Sequence, residues 1–209
     1  MDVDNRLKEY IVKRVLPQYA DLDMGHNEKH IQYVIQRSLD LAGKYGANVN
    51  MAYTIAAFHD LGMVVRRENH EIIGAEILEH DEMINYFFSL DQISIMEKAI
   101  REHRASFKGE YSSIYSKIVS QADRNFDIYL MTTRSIGYGL KEYPDYNYEE
   151  QFKRTYDHLR HKYGRTGYAH MILEYKEDTK NLEYIWAILD SEDEYKKIFK
   201  RCYDQMAWR

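Results

Sequence analysis

At 209 residues, 44% apolar and 30% charged, the chain is long enough for one domain with a sizeable core and a small C-terminal extension. A net charge of -5 argues against a nucleic-acid binder that relies on overall positive charge. The single cysteine, Cys202, excludes an intrachain disulfide and points to a reducing compartment. Met1 is followed by DVDNRLKEYIVKRV, which is charged and lacks the apolar stretch of an export signal. No run approaches the ~18 uninterrupted apolar residues of a membrane span. The expectation is a cytoplasmic protein with no membrane partner.

Only two prolines occur, so long helices are permitted almost everywhere. Residues 5–16 read as a short amphipathic helix with Leu7, Ile11 and Val15 at spacing four. PQYADLDMGHN follows as a turn punctuated by Pro17 and Gly25. Asn27 is placed to cap a helix whose stripe is Ile31, Val34, Ile35 and Ala42, stopped at Gly46. Asn50 reads as the cap of the next, where Ala52, Ile55, Ala56 and His59 share a face and Gly62 ends the helix. Asn69 then caps HEIIGAEILEH, in which His70, Ile73, Gly74, Ile77 and Leu78 align. Gly74 costs about 1 kcal/mol of helix propensity relative to alanine, so a close helix–helix approach is expected there.

Asp91 starts a helix carrying Met96, Ala99, Ile100 and His103, and ASFKGEYS follows as a loop. A long helix from near Ser112 places Tyr115, Val119, Asp123, Phe126 and Leu130 on one drifting stripe. GYGLKEYPDYN (137–147) reads as the end of the core. This divides the chain into a helical core, 1–136, and a C-terminal helical extension, 137–209, packed on the core and able to act as a lid. In the extension Phe152, Tyr156, Leu159 and Tyr163 form a helix ended by Gly164, with two more around Leu182–Leu189 and Tyr195–Met206. YAHMILEY (168–175) has no clear period. With no convincing strand pattern, the fold class is all-α.

Within AAFHDLGM an aspartate stands beside a histidine in an apolar run. A carboxylate buried there is costly unless something pairs with it. Four other helices also point an imidazole or carboxylate inward, at His30, His70, His103 and Asp123. Any one histidine on an apolar face is usually a hydrogen-bonded core residue; five helices doing this together suggest a metal site, since imidazole and carboxylate suit Fe, Mn, Co, Ni and Zn.

His30, the His59–Asp60 pair and Asp123 in SQADR resemble the H…HD…D signature of the HD superfamily of metal-dependent phosphohydrolases, over roughly residues 26 to 130. NHEIIGAEIL and AIREH resemble two further motifs of HD subfamilies that carry a second metal. The resemblance implies an HD-domain helical bundle with additional C-terminal helices. It implies that His30, His59, Asp60 and Asp123 bind one divalent ion, Mg being admissible beside the transition metals. It also implies that Asp60, His70 and His103 serve a second. Some two-metal subfamilies place another histidine directly after the one at 103; here the residue is Arg104.

The implied activity is hydrolysis of a nucleotide or other small phosphate ester by a metal-activated water, with Asp60 catalytic. No protein nucleophile is required, and none is evident. Cys202 reads as core, and neither GxxxxGK[ST] nor GxGxxG occurs. Arg66, Arg67, Arg104, Lys108 and Arg124 lie beside the ligands in sequence and are candidate phosphate contacts, although solvated surface charge is the commoner role of each. Arg66 and His26 are also candidates at the reacting centre, His26 as acid/base or as a loop cap. Asp127 is placed to orient a neighbour. DHLRHKYGRTGYAH gathers His158, Arg160, His161, Lys162, Arg165 and His170, either as substrate-recognition groups or, preferably, as a basic last turn complementing its helix dipole. A di-iron oxygenase and a non-catalytic binding module are the competing readings, and a homo-oligomer is compatible with all three.

Overall fold

The computed structural model describes residues 2–22 and 26–207. Eleven α-helices and no strand occur among them. They form two compact units, Met1–Asp123 and Arg124–Arg209.

In the first unit, α1 (Asn5–Tyr10) runs on into a π-helical turn, Ile11–Val15, and a 3₁₀ turn, Leu16–Tyr19. The expected helix over 5–16 is therefore present but changes its winding. Gly25 lies outside the described residues. Next come α2 (Glu28–Tyr45), α3 (Val49–Phe58), a 3₁₀ turn at Leu61–Val64, and α4 (His70–Glu79). They are followed by α5 (Glu82–Phe87), α6 (Leu90–Arg101) and α7 (Ile114–Asp123).

Helices α2, α3, α6 and α7 pack on one another, and α4 packs on α6 and on the Leu61–Val64 turn. Every residue from Met51 to Phe58 is buried, so α3 is apolar on all sides rather than striped. Burying a side chain such as Phe58 or Ile55 contributes about 1.5–3 kcal/mol.

Capping decides several boundaries. Asn27 accepts from the His30 amide, as its position suggests. Asn48, not Asn50, caps α3 by accepting from the Asn50 and Met51 amides; Asn50 instead accepts from the Asp4 amide. Ser89 and Gln92 form a reciprocal capping box on α6, so that helix begins before Asp91. Gly46 closes α2 at φ 65°, a left-handed conformation that favours glycine.

The second unit holds α8 (Ile128–Glu142), α9 (Tyr148–Tyr163), α10 (Lys176–Leu189) and α11 (Glu192–Ala207). The long helix expected from Ser112 to Leu130 is two helices, because Asp127 caps a fresh start by accepting from the Tyr129 and Leu130 amides. The break expected at 136/137 falls inside α8, which ends only at Glu142 before Pro144. Phe152, Tyr156, Tyr195 and Phe199 make the aromatic centre of this unit. Residues 168–175 are irregular, and Cys202 is buried. Arg160, His161 and Lys162 form the last turn of α9, and Arg165 pairs with Asp190 at 2.8 Å. No helix among the described residues is long and apolar enough to cross a membrane.

The close approach expected at Gly74 is present. A Cβ on Gly74 would sit 3.1 Å from the Phe58 carbonyl oxygen, and one on Gly62 only 2.1 Å from the His70 carbonyl oxygen. Gly43, inside α2, faces open space. Gly62→Ala is expected to destabilise by about 1–3 kcal/mol through backbone displacement. Gly43→Ala is expected to stabilise by about 0.5–1 kcal/mol. Urea unfolding of the two variants measures both, and opposite signs are the expected result.

Candidate metal centre

Five segments of the first unit deliver the site. His30 lies in the first turn of α2, and His59 and Asp60 directly follow α3. His70 begins α4, His103 follows the end of α6, and Asp123 ends α7. Asp123 is thus terminal, not mid-helix. Three helix C-termini, with their partial negative charge, therefore carry ligand-type side chains; that end of a helix favours a cation.

The two oxygens of Asp60 face different partners. Oδ2 is 3.7 Å from His30 Nε2 and 3.3 Å from His59 Nε2. Oδ1 is 3.2 Å from His70 Nε2 and 3.5 Å from His103 Nε2. Asp123 Oδ1 joins the first set, 3.2 Å from His30 Nε2 and 3.8 Å from His59 Nε2. The ring centroids of His30 and His59, His59 and His103, and His103 and His70 lie 5.6, 5.1 and 5.4 Å apart.

Backbone anchors aim the rings. Nδ1 of His59 lies 2.8 Å from the Ala56 carbonyl oxygen, that of His70 3.0 Å from Arg67 O, and that of His103 2.7 Å from Ile100 O. A carbonyl only accepts, so each Nδ1 carries the hydrogen and each Nε2 is left to present its lone pair to the cluster.

A cation fits this set. His59 Nε2 is fully buried and has no hydrogen-bond partner. Atoms bound at ~2.0–2.2 Å to one ion stand about 3–3.5 Å apart, close to the spacings here. Three groups, His30–His59–Asp60, His59–His103–Asp123 and Asp60–His70–His103, each bring three ligand atoms within 4.8 Å of one another. The Asp123 side chain is 26% exposed against 0–11% for the other five, which makes it the accessible side of the cluster.

The cationic candidates are placed less uniformly. Arg66, Arg67 and Lys108 are exposed, on the segments that follow the histidine–aspartate pair and His103. Arg104 donates through Nη1 to both Glu71 oxygens, at 3.2 and 3.3 Å. Arg124 directly follows Asp123 and is buried. His26 is partly exposed, its ring 6.3 Å from that of His30. Glu71 is the group that residue patterns do not single out. It lies 3.6 Å from His70 Nδ1 and links that histidine to Arg104; only the Arg104 in place of a histidine hints that an acidic partner is needed.

An HD-domain family model matches residues 28–125. The match covers just under half of the chain. The chain is also 31% identical over 104 residues to an uncharacterized protein of Clostridium beijerinckii, spanning 47% of this chain and 63% of that protein's length. A predicted HD superfamily hydrolase from an uncultured Thermotogales bacterium, known from a crystal structure, shares the fold with a TM-score of 0.50. Its identity is 22%, over 71% of this chain and 83% of its own.

Burial alone would lower the His30, His59 and His70 imidazoles, but the facing Asp60 and Asp123 carboxylates raise His30 and, strongly, His59, and Asp60 with the Arg67 carbonyl and Glu71 raises His70. Burial would raise Asp60 and Asp123, yet the imidazoles hold both well below the carboxylate range, His59 acting most on Asp60 and His30 most on Asp123. Raised histidines stabilise the fold below their unfolded value of about 6.5 and lose that as pH climbs through the folded value. Depressed carboxylates stabilise above about 3.9 and lose it as pH falls through theirs. The metal-free cluster therefore contributes most between about pH 4 and pH 6.5. Urea unfolding in chelator is expected to give higher stability at about pH 6 than at about pH 9, with the difference reduced in Asp60→Asn. An undiminished difference in that variant would contradict this electrostatic account.

Proposed function

We propose that the chain belongs to the HD-domain family and is a metal-dependent phosphohydrolase acting on a nucleotide or another small phosphate ester. The observation that carries the reading is the two-sided Asp60 carboxylate, with His30, His59 and Asp123 on one side and His70 and His103 on the other. In this reading His30, His59, Asp60 and Asp123 hold one divalent ion, and Asp60, His70 and His103 hold a second. Bound divalent ions lower the pKa of water to give hydroxide near neutral pH and neutralise charge on a phosphoryl group.

The chain's own residues do the rest. The Nδ1 anchors on Ala56, Arg67 and Ile100 keep three imidazoles aimed at the centre before substrate arrives. Arg104, with only Nη1 engaged by Glu71, offers its remaining N–H groups to a phosphate, and exposed Arg66, Arg67 and Lys108 add positive charge nearby. His26, beside His30, is suited to giving a proton to the leaving oxygen.

A di-iron oxygenase draws on the same bridging carboxylate. Elemental analysis of the purified chain, followed by a nucleotide and phosphate-ester panel with Mn, Fe, Co, Ni and Mg added back, separates the two. Metal-stimulated phosphate or nucleotide release is expected. Dioxygen uptake without phosphate release would select the oxygenase.

Two variants sharpen the assignment. Asp60→Ala is expected to lose bound metal and to lower kcat/KM by about a thousandfold, about 4 kcal/mol, with the helical circular dichroism retained. Activity surviving at wild-type level would exclude the ligand set. His103→Ala is expected to lower the metal-to-protein ratio, and an unchanged ratio would retire the second ion.

A further inference from the structure

The turn that presents His59 and Asp60 is held by a residue outside the segment matched as an HD domain. Tyr19 ends the 3₁₀ turn Leu16–Tyr19 and is fully buried. Its hydroxyl donates to the Ala57 carbonyl oxygen at 2.8 Å, and the backbone N–H of Asp60 faces the same hydroxyl oxygen. One residue earlier, the Ala56 carbonyl takes His59 Nδ1 at 2.8 Å. The last carbonyls of α3 thus serve as two anchors. Ala56 aims the imidazole, and Ala57, through the phenol, is tied to the amide of Asp60. Asp60 itself sits at φ -105°, ψ 6°, neither helical nor extended, so the helix does not dictate its direction.

We propose that Tyr19 is a positioning residue for metal binding, its hydroxyl setting the Asp60 backbone so that the two carboxylate oxygens face the two histidine pairs. The proposal rests on the reading that Asp60 ligates metal. Tyr19→Phe keeps the ring in its packed place and removes only the oxygen that joins Ala57 to Asp60. A buried carbonyl and amide left without their partner shift to find others, and the side chain at that amide moves with them.

The test titrates the full chain, stripped by chelator, with Co(II), whose visible absorption reports ligand geometry. Tyr19→Phe is expected to bind Co(II) at least about tenfold more weakly than wild type, with a changed absorption band. Tyr195→Phe removes another fully buried hydroxyl, one that contacts Thr132 Oγ1 at 3.3 Å on other helices, and is expected to leave affinity and band unchanged. Wild-type affinity and spectrum in Tyr19→Phe overturn the positioning role while leaving the metal reading in place. Equal losses in both variants also overturn it. Absence of Co(II) binding by the wild-type chain overturns both. If Tyr19→Phe is too unstable to titrate, the rise in Tm on adding saturating Co(II) gives the comparison. A smaller rise than in wild type supports the role, and an equal rise overturns it.

Discussion

One buried carboxylate organises the first unit. Asp60 follows a helix whose residues are buried on every side, where an uncompensated negative charge is prohibitive. Its compensation comes from four imidazoles, that of the adjacent His59 and three on other segments, and each oxygen has its own pair. The packing of α2, α3, α4 and α6 is therefore coupled to electrostatics: moving any of these helices breaks a contact to the same side chain.

Helix ends make this arrangement precise in direction as well as distance. A residue past the last turn can turn its side chain inward while its ring nitrogen takes one of the helix's own unpaired carbonyls, as His59 and His103 do. His70 uses the loop carbonyl of Arg67 in the same way. The contact of Gly62 and Gly74 lets α4 lie directly against the turn after α3, which carries His70 to within hydrogen-bonding range of Asp60. Rigid delivery of this kind leaves little reorganisation for ligand binding to perform.

The second unit carries no comparable cluster of ligand-type residues among those described. Its cations are engaged locally: Arg165 with Asp190 and over Trp186, Arg160 over Tyr156, Arg154 with Gln151 and the Ser135 carbonyl. Its stability derives from aromatic packing and capped helices, and its chemistry has no motif to match the first unit's.

Rare residue types in apolar helical runs made His30, His59, Asp60 and Asp123 legible, because burying such groups without a partner is too costly to be incidental. His70 and His103 were legible for the same reason. The break between α7 and α8 was not, since apolar spacing continues from Val119 through Phe126 to Leu130, and only the Asp127 cap interrupts it. Asn48 and Asn50 compete for one cap, and the contact of Asn50 with Asp4, 46 positions away, decides between them. By itself the sequence determined an all-helical chain and the side chains that must share a charge-compensating centre, because periodicity and burial cost are local properties. Only the tertiary structure decided that Asp60 divides its oxygens between two histidine pairs, that Glu71 engages Arg104, and that Tyr19 sits behind the turn. Those contacts join residues distant along the chain, and their geometry exists only once the helices have packed.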